Sequence, residues 1–456
     1  MINPITNDTI CALSTGSSSG AIAVVRVSGK DALILVSSIF SKDLTAVSSH
    51  TAHFGTIKDD EVLLDEVLVT VLLEGKSFTG ENTVEISCHG SAYIKTLLIQ
   101  LLIKKGCRLA EPGEFTMRAF LNGKMDLSQA EAIADLIASD SKKVHQIALN
   151  QMRGGYSDQI SDLRQRLMDF ASLIELELDF AEEDVEFANR NELNELVEEL
   201  IHKLNKLTTS FKFGNAIKNG VKTVIAGRPN AGKSTLLNAL LNEERAIVSE
   251  VAGTTRDAIE EELNIEGIKF RFIDTAGIRE ASDEIERIGV ERTFKEVSRS
   301  SVLLYVFDSV ELAPTQVIED VQKLNKKDLS IILVANKIDK LKESIELSKY
   351  QLGFPVIQLS AKDQNGLNEL KSKLTQVVSG NLNESDTIVV NARHFEAFSK
   401  ALTDMYQVKQ ALQDQISGDL LAMDIRSAIR HLASITGEIT NDDLLGNIFA
   451  NFCIGK

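Results

Sequence analysis

The stretch Val221-Lys-Thr-Val-Ile-Ala-Gly-Arg-Pro-Asn-Ala-Gly-Lys-Ser234 decides the fold of the central part of this chain. Its first six residues are mostly apolar and indicate a buried β-strand, and the rest has the GxxxxGKS spacing of a phosphate-binding P-loop. Glycines let the backbone of such a loop curl so that its N–H groups point at the phosphates, and the following helix adds the positive end of its dipole. The stretch therefore predicts a P-loop domain with a mostly parallel, doubly wound α/β sheet.

The P-loop side chains have separate expected roles. Lys233 supplies a positive point charge to the phosphates, and the hydroxyl of Ser234 would hold magnesium. We expect this loop to bind the nucleotide through Asn230, Ala231, Gly232, Lys233, Ser234 and Thr235.

Two segments downstream are typical of a switch that senses the terminal phosphate. In Gly253-Thr-Thr-Arg-Asp257, Thr255 is our candidate for contact with magnesium and that phosphate. The second segment, Asp274-Thr-Ala-Gly277, follows the apolar strand Phe270 to Ile273 and places a carboxylate near the metal and a glycine N–H near the terminal phosphate. Together they predict a two-state switch. The assigned residues of the second segment are Asp274, Thr275, Ala276 and Gly277.

A further pair of segments is expected to select the base of the nucleotide. Asn336-Lys-Ile-Asp339 follows the strand Ile331 to Ala335, and Ser360-Ala-Lys362 comes later. Asp339 can accept two hydrogen bonds from guanine nitrogens, a pairing that adenine does not offer, and Ala361 can donate its backbone N–H to the guanine oxygen. The pattern therefore predicts a G domain that binds GTP rather than ATP. The assigned residues are Asn336, Lys337, Asp339, Ser360, Ala361 and Lys362.

The residue after Gly277 bears on the hydrolytic step. Ras-like GTPases place a water-orienting glutamine there, whereas this chain has Ile278, which cannot hydrogen-bond to water. Another group must position the attacking water. Residues 279–287 offer several carboxylates, among which composition does not choose, and a solvated start of a charged helix explains most of them: Glu280, Asp283, Glu284 and Glu286.

The remainder of the chain is organised around this domain. With 456 residues, 43% of them hydrophobic, the chain can fill two or three cores. Mixed strand and helix patterns at the start predict a small α/β domain, while helical spacing begins near Leu127 and returns only after the G domain. We expect one helical bundle built from both segments, with the G domain inserted between them. The predicted domains are 1–120 (N-terminal α/β), 121–216 (first helical part), 217–380 (G domain) and 381–456 (second helical part).

Composition argues against several other classes of protein. The formal charge of −17 comes from 66 acids and 49 bases, so bulk electrostatics would not hold this chain on nucleic acid, and RNA contact needs a local basic patch or a partner. The four cysteines form no CxxC pair, which argues against zinc and against a disulfide framework. We see no signal peptide and no apolar run of the ~18 residues that a membrane helix needs. We expect a soluble cytoplasmic protein with no membrane association.

The motifs, taken together, resemble those of the MnmE (also called TrmE) family of tRNA-modification GTPases. The resemblance is not confined to the P-loop and the G domain. It extends to Asp274-Thr-Ala-Gly-Ile-Arg-Glu-Ala-Ser-Asp-Glu-Ile-Glu-Arg-Ile-Gly289, to Ser77-Phe-Thr-Gly-Glu81, to Arg118-Ala-Phe-Leu-Asn122 and to the ending Phe452-Cys-Ile-Gly-Lys456. These segments span almost the whole chain, which makes the resemblance far more specific than a P-loop alone.

The resemblance implies a folate site in the N-terminal domain. That domain would be similar to folate-dependent one-carbon enzymes, would bind a 5-formyltetrahydrofolate-type one-carbon folate, and would pair two protomers into a homodimer. The residues that match the family's folate contacts are Arg26, Glu85, Lys124 and Lys456.

The resemblance also implies a potassium ion beside the nucleotide. The ion would supply the positive charge that another GTPase takes from an arginine finger, and Glu286 would occupy the water-positioning place. Ser249 stands where the family carries threonine, a conservative change. The implied potassium ligands are Asn230, Ser249, Val251 and Thr254.

The family's reaction requires further components. The GTPase works with a FAD-dependent partner of the MnmG type, in a heterotetramer, to attach aminomethyl or carboxymethylaminomethyl groups to the wobble uridine of certain tRNAs. Cys453 is a candidate nucleophile or acid/base for that chemistry, although a thiol in a terminal tail can equally be a packing residue. Two alternatives remain: a ribosome-assembly GTPase switch similar to Era, which the acidic balance opposes, and a free-standing folate aminomethyltransferase with a regulatory G domain.

Overall fold

The chain divides into two compact units. A computed structural model describes residues 8–16, 18–179, 189–242, 260–274, 294–326, 329–341, 353–379, 387–414, 416, 418–440, 442–450, 452 and 454–455. The first unit consists of Met1–Ser139, Ile147–His202 and Ala397–Lys456, and the second of Asp140–Gln146 and Lys203–Glu396. None of the helices in these described ranges is both long and apolar enough to cross a bilayer.

The first unit begins with a six-stranded sheet in the order β3-β4-β5-β2-β1-β6. All neighbouring strands are antiparallel except β1 and β6. One face is covered by helices α1 (Ala32–Ser37) and α2 (Ala92–Lys104), so alternate residues of the central strands are buried, as an antiparallel sheet with one covered face requires. The predicted small α/β domain is therefore confirmed. Its strands are β1 (Ile10–Leu13), β2 (Ile22–Ser28), β3 (Thr51–Asp59), β4 (Val62–Leu72), β5 (Thr83–His89) and β6 (Arg108–Leu109).

The rest of the first unit is helical. The long helix α6 (Ser157–Asp179) packs along α12 (Gly418–Thr436), so a helix before the P-loop contacts one that follows residue 380. Its apolar positions at steps of three and four, such as Ile160, Leu163 and Leu167, are buried as the periodicity predicts. The helices are α3 (Glu114–Leu121), α4 (Leu127–Ala138), α5 (Lys142–Met152), α6 (Ser157–Asp179), α7 (Arg190–Asn219), α11 (Ala392–Gln413), α12 (Gly418–Thr436) and α13 (Asp442–Phe449), of which α5, α7 and α11 also extend into the second unit.

The last helix, α13, anchors the end of the chain. Leu445 and Phe449 pack into one cluster with Met117 of α3 and Leu127 of α4. A Cβ at Gly113, where φ is +68°, would lie 2.8 Å from the Phe449 carbonyl oxygen, so only glycine fits this close approach. The C-terminal tail therefore starts from a fixed point on α3 and α4.

The second unit contains a six-stranded sheet in the order β12-β11-β10-β7-β9-β8. Only the β8–β9 pair is antiparallel. Parallel strands covered on both faces are continuously apolar, and every residue of β10 is buried. The mostly parallel P-loop α/β fold is confirmed. Its strands are β7 (Val221–Ala226), β8 (Glu260–Ile265), β9 (Ile268–Asp274), β10 (Val302–Asp308), β11 (Ser330–Asn336) and β12 (Val356–Gln358), and its helices α8 (Lys233–Asn242), α9 (Pro314–Leu324) and α10 (Leu367–Ser379).

The second unit extends beyond the segment predicted for the G domain. Phe211 of α7 stacks on Phe395 with ring centroids 4.3 Å apart, and the Val389 N–H donates to the Ser210 hydroxyl at 3.0 Å. These contacts join the second half of α7 to the first turn of α11 and to the residues before it, so both segments belong with this sheet.

A buried ion network organises the end of the N-terminal sheet. Arg118 and Glu114 of α3 have side chains only 7% and 5% exposed and lie 2.9 Å apart. Arg118 also pairs with Glu81 at 3.1 Å and with Asp8 at 2.7 Å, and Arg108 pairs with Glu114 at 2.5 Å. Although burial opposes ionisation, hydrogen bonds from the two arginines hold the pKa of Glu114 below its ordinary value. The network fixes the segment around Glu81 against α3.

We expect Glu114→Gln to lower the free energy of unfolding by about 2 kcal/mol at neutral pH, because it removes one of the three carboxylates that pair with the buried Arg118 and weakens the hydrogen bonds from both arginines. A carboxylate whose folded pKa is depressed stabilises the protein above its unfolded pKa of about 4.3, and that contribution is lost as pH falls through the folded pKa. Urea unfolding of both proteins, followed by circular dichroism, should therefore show a difference that shrinks below about pH 4.

The exposed Glu61→Gln is the matched control for this experiment, since it removes a carboxylate outside the network. A Glu114→Gln variant as stable as Glu61→Gln would show that the network contributes nothing.

Candidate functional site

The P-loop connects β7 to α8 at the centre of the second sheet. β7 lies between β10 and β9, with Ala226 opposite Tyr305 and Ile225 opposite Asp274. A Cβ at Gly227, where φ is +153°, would lie 2.0 Å from the Val306 carbonyl oxygen. The loop can leave the strand so close to β10 only because this residue is glycine. The register therefore brings the backbone of Asp274 to the edge of the loop.

Asn336 connects three of the predicted segments. Its buried side chain donates from Nδ2 to the Ala231 carbonyl oxygen at 2.8 Å and accepts at Oδ1 from the Ala361 N–H at 3.0 Å. A Cβ at Gly232, with φ of +93°, would lie 2.3 Å from that same Nδ2. The P-loop and the two predicted base-binding segments are thus joined through one amide.

Lys233 is the first residue of α8 and points back into the loop. Its Nζ donates to the Gly227 and Arg228 carbonyl oxygens at 2.9 and 3.0 Å. The first N–H groups of a helix have no partners within the helix, and they favour a negative group. The loop therefore gathers an ammonium and a helix N-terminus at the place where phosphates are expected, and Asn230 contributes a left-handed turn there with φ of +62°.

The predicted base-binding residues lie at the ends of β11 and β12. The exposed Asp339 accepts at Oδ1 from the buried Ser360 hydroxyl at 2.7 Å, which orients the carboxylate. Lys337 pairs with Asp308 at 2.6 Å, and although burial opposes ionisation, that contact holds the pKa of Asp308 below its ordinary value. We expected the Ala361 N–H to donate to the guanine oxygen. In the structure it donates to Asn336 Oδ1 at 3.0 Å.

The predicted folate residues lie partly together. Arg26 of β2 faces Glu85 of β5, with Nε to Oε1 at 2.9 Å, and its guanidinium stacks 5.6 and 5.5 Å from the rings of Phe78 and Phe115. Lys124 does not belong to this group of contacts, and its Nζ donates instead to the Gly75 carbonyl oxygen at 2.9 Å. It lines a polar cavity of about 560 Å³ together with Asp8, Lys30, Glu74, Gly75, Gly80, Glu81, Asn82 and Asn122.

The C-terminal tail reaches the strand beside β2. The Ser14 hydroxyl donates to the Gly455 carbonyl oxygen at 3.1 Å, and a Cβ on Gly455 would lie 2.1 Å from the Leu13 carbonyl oxygen. Ala12 of the same strand is opposite Arg26. The residue before Lys456 is therefore held close to the strand that carries Arg26.

Several predicted site residues lie outside the described residues. They are Ser249, Val251, Thr254, Thr255, Thr275, Ala276, Gly277, Glu286, Cys453 and Lys456.

Sequence reasoning also missed contacts that shape the site. The ion pair of Arg228 with Asp320 and the pairing of Lys337 with Asp308 were not expected. The available signal was polar groups within or directly after an apolar strand, since Tyr305 and Asp308 both belong to the otherwise apolar β10.

Comparison with known proteins covers nearly the whole chain. A family model described as the MnmE helical domain matches residues 127–453, and one described as the GTP-binding protein TrmE N-terminus matches residues 9–124. The tRNA modification GTPase MnmE of Christiangramia forsetii is 54% identical over 99% of both chains, and that of Flavobacterium psychrophilum is 53% identical over 99% of this chain and 100% of its own.

Solved structures resemble a smaller part of the chain. Aquifex aeolicus Era bound to GDP and aluminium fluoride is 28% identical, covers 41% of this chain and 67% of its own, and has a TM-score of 0.28. The FeoB G-domain of Methanococcus jannaschii is 24% identical, covers 35% of this chain and 97% of its own, and has a TM-score of 0.27. At such TM-scores neither structure supports an inference about this chain.

We expect Asp339→Asn to weaken GTP binding at least tenfold, because guanine's donors lose a charged acceptor, a loss of about 1.5 kcal/mol or more. The same variant should gain affinity for xanthosine triphosphate, whose base offers an acceptor where guanine has its amino group. Titration with fluorescent nucleotides measures both affinities. Asp363→Asn is the matched control, because Asp363 also accepts from the Ser360 hydroxyl, at 3.1 Å, without an assigned base contact. Unchanged GTP affinity in Asp339→Asn would refute the guanine assignment.

Proposed function

The chain belongs to the MnmE family of tRNA modification GTPases, and from this membership we propose a potassium-dependent GTPase that acts with a FAD-dependent MnmG-type partner on the wobble uridine of certain tRNAs. GTP hydrolysis and a role in tRNA modification come with the family. The observation that carries the finer proposal is that the likeness runs through the N-terminal domain and the helical domain and is not limited to a G domain.

GTP binding would replace the contacts that Lys233 makes within the P-loop by contacts to the phosphates. Lys233 would give up the carbonyl oxygens of Gly227 and Arg228 for the phosphates, which bear formal charge and accept more strongly. The backbone N–H groups of Ala231 to Thr235 would cradle the phosphates, and Asp339 would recognise guanine. The remaining assigned contacts belong to the base-binding segments and to the switch residues named above.

Magnesium is a general requirement of such GTPases, and the loop offers it suitable oxygen donors. The exposed Ser234 lies in the first turn of α8, and the register places the Asp274 backbone beside the strand that leads into the loop. Hydroxyl and carboxylate oxygens, with phosphate oxygens and water, suit this ion. Thr255 would join Ser234 as a ligand. When bound, magnesium neutralises charge on the phosphates.

Potassium would provide the second positive charge. Asn230 has a left-handed backbone that turns the loop at the point where its side-chain oxygen could serve an ion. Ser249, Val251 and Thr254 would complete the oxygen cage, and Glu286 would orient the attacking water that Ile278 cannot hold. This support comes from the family match and from the Asn230 geometry together.

We expect GTP turnover to be at least tenfold faster in potassium than in sodium at equal ionic strength, because sodium is too small to fill the same oxygen cage. Asn230→Ala should abolish most of this difference. The exposed Asn238→Ala on α8 is the control, since it removes the same amide from the following helix. Equal rates in both salts for the unmodified protein would refute potassium dependence.

The open face of the N-terminal sheet supports the homodimer and the folate site. Phe54 and Leu68 are directly opposite each other on β3 and β4 and are 61% and 45% exposed, and Ile22 on β2 is 69% exposed. Because side chains alternate along a strand, Arg26 and Glu85 lie on this same face. A second protomer would cover the apolar residues and would close a folate site formed by Arg26, Glu85, Lys124 and Lys456.

The domain arrangement is part of the same proposal. The packing of α6 on α12 supports a helical domain formed by 121–216 and 381–456, with the G domain, 217–380, inserted in it. The N-terminal domain, 1–120, would pair two protomers, and the MnmG-type partner would complete a heterotetramer with tRNA as its substrate.

We expect Cys453→Ser to reduce wobble-uridine modification at least tenfold while GTP turnover stays within about twofold of normal, because a thiolate is a far better nucleophile than a hydroxyl. Modification is assayed with the flavoprotein partner and in tRNA from a deletion strain carrying the variant. Ile454→Ala, an exposed tail neighbour, controls for disturbance of the tail. Full modification by Cys453→Ser would exclude an essential thiol. A deletion strain with normal tRNA and abnormal ribosome profiles would instead favour ribosome assembly.

A further inference from the structure

We propose that Asp320 is a positioning residue for GTP binding, which holds the first half of the P-loop in its phosphate-binding shape through the side chain of Arg228. Asp320 Oδ2 accepts from Arg228 Nε at 2.8 Å and from the Tyr305 hydroxyl at 2.6 Å, and Asp320 Oδ1 accepts from Arg228 Nη2 at 3.4 Å. These three residues form what we call the P-loop brace.

The carboxylate of the brace, that of Asp320, is held in place by well-packed elements of the fold. Asp320 lies on α9, whose Val317 and Val321 are fully buried against the sheet. Tyr305 is 2% exposed on β10, directly opposite Ala226, the residue before the loop begins. Burial and the nearby Asp320 raise the pKa of Tyr305, so its hydroxyl keeps its proton and donates throughout the physiological range. Strand and helix therefore fix Asp320 from two sides.

Arg228 transmits this fixed position into the loop. Its side chain is anchored on Asp320, while its own carbonyl oxygen accepts from Lys233 Nζ at 3.0 Å and from the Ala231 N–H at 3.4 Å. Gly227, immediately before it, lies against Val306 with no room for a side chain. A residue held at both its side chain and its carbonyl has little freedom in φ and ψ, so the first half of the loop is restricted to few conformations.

The brace should act on binding and not on the chemical step. If only a fraction of the empty loops has the competent shape, the apparent dissociation constant rises by the inverse of that fraction. Bound phosphates restore the shape through the loop's own N–H groups, so the saturated complex reacts normally. Since GTP and GDP use the same loop, the affinities for both nucleotides should fall by the same factor. This inference rests on the proposed assignment of the P-loop as the phosphate site.

The test compares Asp320→Asn, Tyr305→Phe and the double variant in the full chain. We expect KM for GTP and Kd for GDP to rise about fivefold to tenfold in Asp320→Asn, with kcat within about twofold. Tyr305→Phe keeps the buried ring and should shift both constants in the same direction by less. The double variant should match Asp320→Asn, because the hydroxyl acts only through that carboxylate. Glu319→Gln, an exposed carboxylate of the same helix, should leave KM unchanged.

Three results would overturn the brace. An unchanged KM for GTP and an unchanged Kd for GDP in both single variants would refute the positioning role. A fall in kcat as large as the rise in KM would refute it as well. A Glu319→Gln effect as large as that of Asp320→Asn would show that the charge of the helix matters and the contact does not. Lys233→Ala separates this failure from that of the underlying assignment: if Lys233→Ala still binds GTP normally, the P-loop assignment itself is wrong.

Discussion

The nucleotide site depends on one buried amide. Asn336 is only 2% exposed, so the donor and the acceptor of its side chain both need partners within the protein. It finds them in the P-loop, at Ala231, and in the loop after β12, at Ala361. Because Gly232 has no side chain, the amide can approach the backbone closely enough to form these bonds. This one amide therefore sets the spacing between the proposed phosphate-binding and base-binding segments.

The N-terminal domain uses charge for a similar purpose. Its segment around Glu81 is joined to α3 by Arg118, whose guanidinium serves three carboxylates at once. A planar group with five N–H donors can satisfy several acceptors in fixed directions, which an apolar contact cannot do. The same segment carries Phe78, which packs against Arg26, so the ion network indirectly orients a proposed folate residue.

The sequence predicts the strands of the second sheet well and its polar contacts poorly. Runs such as Val221 to Ala226 and Ile331 to Ala335 are recognisable because a parallel strand covered on both faces is mostly apolar. By contrast, Arg228 and Asp320 are separated by 92 positions, and no local pattern connects them. Arg118 and Glu114 likewise resemble an ordinary exposed i,i+4 pair, and only the folded chain shows that both are buried.

The internal ion pairs give a physical reason for the proposed potassium ion. Arg228 is held by Asp320, and Lys337 is held by the buried Asp308, which would lose its compensating charge if the lysine moved to the phosphates. Lys233 is the first residue of α8, and its Nζ already lies at the loop, where it donates to the Gly227 and Arg228 carbonyl oxygens. A triphosphate carries several negative charges, which increase the demand for positive charge in the transition state. In the proposed site Arg228 shapes the loop through Asp320, and bound magnesium and potassium would add positive charge to that of Lys233 and the helix N-terminus.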